Sequence, residues 1–342
     1  MRDNTPRISV GMPVYNGERY IKETLDSILS QTFDDFELII SDNASTDGTA
    51  QICREYIIRE PRVRYFRNEK NLGAAWNYNK VFNLSTGKYF KWAPADDVCA
   101  PEFLERCIDI LDHYPGVVLC YPRTTLIDEK SEVIGEYLNE LHLQSDKPHE
   151  RFKRFQERFY THNHCYPLLG LIRNSSLKKT RLIGTFRSSD EILLGELILL
   201  GKIFEVPENL YFKRDHPQTS VRAYSKRERA IWFDPKNTGI IHEFLEVRLY
   251  SEHNKSIKLA RMTRYERAHC HLQMVKRFWR HRSMWMRESI RFGYWIAQKL
   301  PRPIFITLRF IFNSLSWLIE SIRRVFSISA SSISKILSTP KT

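Results

Sequence analysis

Ile8-Ser9-Val10-Gly11-Met12-Pro13-Val14-Tyr15-Asn16, Phe36-Glu37-Leu38-Ile39-Ile40-Ser41-Asp42-Asn43 and Tyr89-Phe90-Lys91-Trp92-Ala93-Pro94-Ala95-Asp96-Asp97 are apolar runs ending on small, polar or acidic residues. Short runs bounded in this way read as buried strands. In a parallel sheet the carboxyl ends of successive strands share one edge, and ligands bind there. Asp42, Asp96 and Asp97 then face one pocket. Carboxylates gathered beside a polyanionic ligand need a cation between them, so the layout suggests a nucleotide-diphosphate and metal site.

Helical patterns alternate with these strands, as in βαβ units. Ile21, Leu25, Ile28 and Leu29 have helical spacing within Tyr20 to Ser30. Thr46-Asp47-Gly48-Thr49 is a turn that opens a helix to Ile58. Val63 to Phe66 reads as a strand, Ala74 to Leu84 as a helix, Pro101 to His113 as a helix and Val117 to Tyr121 as a strand. A basic, aromatic helix is expected over Glu150 to Tyr160, and a strand over Leu168 to Arg173. Ser188-Ser189-Asp190 opens an apolar helix that Gly201 ends, and a last strand runs Ile203 to Val206. Beyond about Ser225 the pattern is all helix, which suggests a boundary between 1–224 and 225–342.

The chain has 342 residues and a formal charge of +13, with 42% apolar residues. That composition supports a sizeable core. A positive excess fits nucleic acid, an anionic membrane surface or anionic substrates. The surplus lies mostly beyond Lys147, behind the acidic edge, which argues against a nucleic-acid partner. Six cysteines without a CxxC pair read as reduced thiols in a cytosolic protein. His162-Asn163-His164-Cys165 and His269-Cys270-His271 lack a second pair at zinc-finger spacing. The polar start, Met1 to Arg7, has no signal-peptide pattern. Pro303 to Ile319 comes nearest to a membrane span but is broken by Arg309 and Asn313.

Several blocks occur in an order that resembles the family-2 glycosyltransferases. They are Ser9 to Asn16 with Tyr20-Ile21, Leu25 to Thr32, Glu37 to Thr49, Asn71-Leu72-Gly73, Gly87-Lys88-Tyr89 and Ala95-Asp96-Asp97. Ordered blocks over about Ile8 to Asp97 are far more specific than one glycine motif. A weaker match continues to about Ser220. The resemblance implies a GT-A fold: a Rossmann-like, mostly parallel sheet flanked by helices, here with a C-terminal helical extension. It also implies sugar transfer from a nucleotide-sugar donor.

By the same resemblance, Pro13, Val14, Tyr15 and Asn16 lie against the nucleoside, and Asp42 accepts from the base. Asn71, Gly73 and Asn79 match family positions lining the donor site. Asp96 meets the ribose or bridges to metal, and Asp97 ligates Mg²⁺ or Mn²⁺ held by the diphosphate. Hard cations prefer such oxygen ligands. Pro94 stands where relatives carry a further aspartate, and Tyr78 where many carry arginine. Counting back from Gly201-Lys202 sets Asp190 on the catalytic aspartate, with Glu191 the second candidate. A carboxylate at a helix N-terminus stays ionised and can take the acceptor hydroxyl's proton. Arg214 is expected to hold phosphate charge, and His216 to ligate metal or donate to phosphate.

From about Arg287, Phe292, Trp295, Ile296 and Leu300 open a pattern of apolar residues near helical spacing, with arginines between them. Basic amphipathic helices with Trp and Phe lie at membrane surfaces. The expected protein is a cytoplasmic, inverting glycosyltransferase, peripheral on the inner face of a membrane. It would use a UDP- or dTDP-type donor and a glycan or lipid-linked acceptor. The alternatives are a nucleotidyltransferase, whose glycine-rich phosphate loop Val14-Tyr15-Asn16-Gly17 does not supply, and a non-catalytic nucleotide-sugar or glycan-binding protein.

Overall fold

A computed structural model describes residues 5–137, 141–158, 165–236 and 244–297. His162 to His164, Pro303 to Ile319 and the rest of the basic tail after Ala297 lie outside the described residues. The chain packs as two compact units. One comprises residues up to Leu245 together with Leu249–Met274, and the other Glu246–Arg248 together with residues from Val275 onward.

The first unit carries the sheet. Strands β1 (Ile8–Val14), β2 (Phe36–Asp42), β3 (Val63–Arg67) and β4 (Tyr89–Trp92) alternate with helices α1 (Ile21–Leu29), α2 (Thr49–Arg59) and α3 (Ala74–Asn83). Next come β5 (Val98–Cys99), α4 (Phe103–His113), β6 (Val117–Ile127), β7 (Val133–Tyr137) and α5 (Pro148–Arg158). A 3₁₀ turn (Tyr166–Leu169) leads to β8 (Leu171–Arg173), α6 (Asn174–Leu177), α7 (Ser189–Leu200) and β9 (Lys202–Arg214). The remaining helices are α8 (Ser220–Ala223), α9 (Lys226–Phe233), α10 (Leu245–Leu259), α11 (Arg264–Arg280) and α12 (Arg282–Ala297).

The sheet order is β3-β2-β1-β4-β8-β6-β9-β5, with β7 on β6. The half containing β3, β2, β1 and β4 is parallel, as expected for βαβ units. The other half is mixed: β8 runs antiparallel to β4 and β6, while β6 and β9 are parallel. Strand order reverses about β1, so the ends of β1, β2 and β4 form the crevice.

Side chains alternate across this sheet. On β2, Phe36, Leu38 and Ile40 join the core beneath α1, α2 and α4. Ile39 points the other way, into the core that includes Val81, Phe82, Leu193 and Leu197. Gly11 of β1 is needed because a Cβ there would meet Val81 at 2.7 Å and Phe90 at 2.8 Å. α3 therefore lies close on the strand.

β9 extends well past the expected Val206, to Arg214. Pro207 lacks a ladder N–H, which favoured ending the strand there. The pairing with β6 skips from Val206 to Asn209, so Pro207 falls in a bulge and the strand continues. This continuation brings Tyr211, Lys213 and Arg214 to the acidic loop.

In the second unit, Glu288 accepts from the backbone N–H groups of Glu246 (3.2 Å) and Val247 (3.3 Å). Glu246 in turn pairs with Arg277 at 3.3 Å. Among the described residues, no helix is long and apolar enough to cross a membrane.

Candidate active site

β4 ends at Trp92, and Ala93-Pro94-Ala95 carries the chain to Asp96 and Asp97 at the sheet's carboxyl edge. The two carboxylates face different surroundings. Asp97 is only 2% exposed. Its Oδ1 accepts from Lys213 Nζ at 2.9 Å and from the Arg214 backbone N–H at 3.0 Å, and its Oδ2 accepts from the Tyr211 hydroxyl. Burial pushes the Asp97 carboxyl up, against the pull of Lys213. Three protein donors hold the buried Asp97 carboxylate and tie β9 to the acidic loop, which disfavours the expected role of Asp97 as metal ligand.

Asp96 is more open, its side chain 28% exposed. Its Oδ2 lies 3.0 Å from His216 Nε2 and 3.8 Å from Lys213 Nζ. Burial opposes ionisation, but Lys213 and His216 outweigh it and hold the carboxyl down to about 2. His216 is buried, and among the described residues its Nδ1 has no hydrogen-bond partner. The ring packs on Tyr20, with centroids 4.8 Å apart. One carboxylate oxygen and one imidazole nitrogen side by side fit two corners of a divalent cation's shell. Diphosphate oxygens would supply the rest. Among the described residues no group of three such side chains forms a complete cage.

Arg214 departs from expectation. Its side chain is 1% exposed and donates to Glu23 (2.6 Å), Ser131 (2.9 Å) and the carbonyls of Asp96 (2.9 Å) and Asp128 (3.0 Å). It is a clamp with no face left for phosphate. Lys213, its neighbour on β9, takes the place at the acidic pair, and both carboxylates keep its ammonium protonated. Sequence reasoning passed over Lys213, although strand alternation puts residues 213 and 214 on opposite faces.

α7 presents Asp190 in its first turn, after Ser188 in a left-handed conformation (φ 63°). Burial pushes the Asp190 carboxyl up, partly offset by the Glu191 backbone N–H and the Cys165 thiol. A raised carboxyl is the better proton acceptor near neutral pH. Glu191 points away. It is buried and pairs with buried His253 of α10 at 2.9 Å, so the structure corrects its assignment as second candidate base.

Tyr78 on α3 feels the charges of the site. Burial raises its phenol first, and Asp96, Asp97 and Asp190 raise it further. All three carboxylates therefore lie within its electrostatic reach. Tyr166, opening the 3₁₀ turn, likewise faces Lys213 and Asp97.

The nucleoside side is pinned mainly by its own hydrogen bonds. Pro13 and Val14 are buried strand residues, paired with Ser41 and Asp42. Asn16, at φ 52°, accepts from the Thr46 N–H at 2.8 Å and donates its own N–H to Ser45. Tyr15 stands out into solvent, 41% exposed, and offers a ring face at the crevice. Asp42 has no exposed surface; it accepts from the Ser45 N–H (2.8 Å) and the Tyr65 hydroxyl (2.7 Å). In this conformation the carboxylate is engaged by the turn it caps and not by the open crevice. Asn71 accepts from Asn43 and from the Gly73 N–H. Gly73, at φ 88°, lies under Phe233 and Asp234, so both residues shape the loop and do not line an open pocket. Asn79 clamps Ile183 of the loop leading to α7: it accepts from its N–H (3.1 Å) and donates to its carbonyl (2.9 Å).

Comparison with known proteins bears on the family and the fold. The sequence model of "Glycosyl transferase family 2" matches residues 9–181, about half of the chain. An uncharacterized glycosyltransferase of Methanocaldococcus jannaschii is 30% identical over 179 residues, covering 52% of this chain and 59% of that protein. Chondroitin synthase of Escherichia coli is 32% identical over 134 residues, covering 39% of this chain and 19% of the synthase. The chain thus spans about half the length, or less, of the curated relatives it matches. In structure it is similar to S. aureus TarS 1–349 in complex with UDP-GlcNAc. The TM-score is 0.61 at 16% identity, covering 93% of this chain and 91% of that one. At this identity the likeness establishes the shared GT-A architecture.

Proposed function

The chain belongs to glycosyl transferase family 2, and from that premise we propose an inverting transfer of a sugar from a UDP- or dTDP-type donor to a hydroxyl of a glycan or lipid-linked acceptor. The observation that carries this reading is Asp96 beside His216 (3.0 Å) and Lys213 (3.8 Å) at the strand ends, with Asp190 in the first turn of α7. TarS, which shares the fold, is seen with UDP-GlcNAc and supports a UDP-type nucleotide.

Each residue's task follows from its surroundings. Asp190, raised by burial at a helix start, accepts the acceptor hydroxyl's proton as that oxygen attacks the anomeric carbon. Attack from the side opposite the departing diphosphate inverts the centre. Lys213 offers a fixed positive charge beside the diphosphate. Tyr15 offers a stacking face to the base. Mg²⁺ or Mn²⁺ held by Asp96 and His216 would neutralise charge growing on the leaving diphosphate. The described helices also expose Tyr265, Leu272, Trp279 and Met286 in a sequence rich in arginine, which supports a peripheral membrane contact.

The test is a thermal-shift screen of UDP-, dTDP- and GDP-sugars with and without Mn²⁺. A UDP- or dTDP-sugar should raise the melting temperature, and more so with Mn²⁺. No shift with any nucleotide sugar would refute the reading.

A further inference from the structure

Lys91 is the fourth-last residue before the Ala95-Asp96-Asp97 motif, and it is buried, 1% exposed. Among the described residues no carboxylate lies within salt-bridge distance of its ammonium. Nζ donates to the carbonyls of Leu169 and, at 3.3 Å, Trp92. It also lies over two rings, 4.2 Å from the centroid of Phe103 and 5.1 Å from that of Tyr211. A buried cation without a counter-ion is costly, and a methionine of similar length would fill the same space more cheaply. Positions that break a folding rule in this way are expected where function compensates.

The contacts of Lys91 show what the compensation is. Four segments meet at its ammonium: α4 through Phe103, and three others that each carry part of the site. β4 leads to Asp96 and Asp97. Leu169 closes the 3₁₀ turn, which packs on α7, the helix that opens on Asp190. Tyr211 of β9 receives the cation on its ring face and donates a hydrogen bond from its hydroxyl to Asp97. A cation over the ring makes that hydroxyl a stronger donor.

We propose that Lys91 is a positioning residue for sugar transfer: its buried ammonium joins β4, the 3₁₀ turn and β9, and so fixes the base Asp190 relative to the acidic pair. It touches neither substrate nor reacting atoms. The inference rests on the proposed transfer reaction. Burial also pulls the ammonium's pKa down; of the groups that face it, Cys99, Cys107 and Asp97, the carboxylate favours its charge.

Lys91→Met in the full chain tests this, with UDP release from the donor that binds, UDP affinity by calorimetry, melting temperature and a pH profile. The expected result is a melting temperature no lower than wild type and UDP affinity within about threefold. kcat should fall at least about tenfold, and the acid limb set by Asp190, among Glu191, Cys165 and Tyr78, should move. Unchanged kcat and acid limb overturn the inference, and so does a lower melting temperature with unchanged kcat. If Lys91→Met does not fold, Tyr211→Phe keeps the cation and ring and removes only the bond to Asp97. It should cut kcat at least about threefold, and an unchanged kcat there also overturns the inference. A wild-type protein that releases no UDP from any donor overturns the transfer reading itself, and this inference with it.

Discussion

Lys213 and Arg214 are adjacent on β9 and point to opposite faces. Lys213 meets Asp97 at 2.9 Å, while Arg214 is locked to Glu23 at 2.6 Å. The two cations have different tasks although one charge separates neither from the other. Lys213 lies beside Asp96, where a diphosphate would sit. Arg214 satisfies two carbonyls, a hydroxyl and a carboxylate with no exposed face. Arg214→Ala should cost about 2–4 kcal/mol, because buried acceptors are left without donors. Denaturant titration would show it, and a loss below about 0.5 kcal/mol would return Arg214 to a ligand-binding role. The positions of Asp96, Asp190 and His216 near strand and helix ends were legible in the sequence from motif and spacing, while their roles rest on the proposal. The three donors on Asp97 and the burial of Asp42 were not legible. Both depend on Tyr211, Lys213 and Tyr65, which reach the carboxylates from strands distant in sequence.

At the scale of elements, the loop before α7 decides where the base stands. Leu182 (φ 58°) and Ser188 (φ 63°) hold left-handed conformations that disfavour most side chains. Two restraints keep the loop there. Asn79 of α3 brackets Ile183, and Arg181 donates to Glu196 of α7 at 2.6 Å. Asn79→Ala removes one restraint. It should lower kcat about tenfold, leave UDP affinity within about twofold, and speed hydrogen exchange across 182–188. A loss of UDP affinity with unchanged kcat would place Asn79 at the nucleotide after all. Helices and strands of the parallel half were readable because their apolar periods are clean. β9 was read too short because Pro207 is a stop signal that a bulge overrides. β5, of two residues, is too short to carry a period at all.

For the whole molecule, the composition change near Ser225 marks where strands give way to helices. The sheet-bearing unit itself continues through α9, most of α10 and the start of α11. His253 of α10 pairs with Glu191 of α7, and Ile257, Cys270 and Met274 complete the core on that face. Nothing in local sequence announces such packing, since helical period gives a face but not its partner. The exposed Tyr265 and Trp279 and the +13 charge lead to a whole-chain expectation. The protein should float with vesicles containing anionic lipid and release at high salt, while neutral vesicles should leave it in solution. Equal recovery with both would remove the membrane from the account. The central claim is that Asp190 is the base acting on a donor held at Asp96, His216 and Lys213. Its most direct test is the rate of UDP release from the bound donor by wild type and Asp190→Asn side by side. The account predicts a drop of at least about 100-fold in the variant with donor affinity unchanged, and release at the wild-type rate would contradict it.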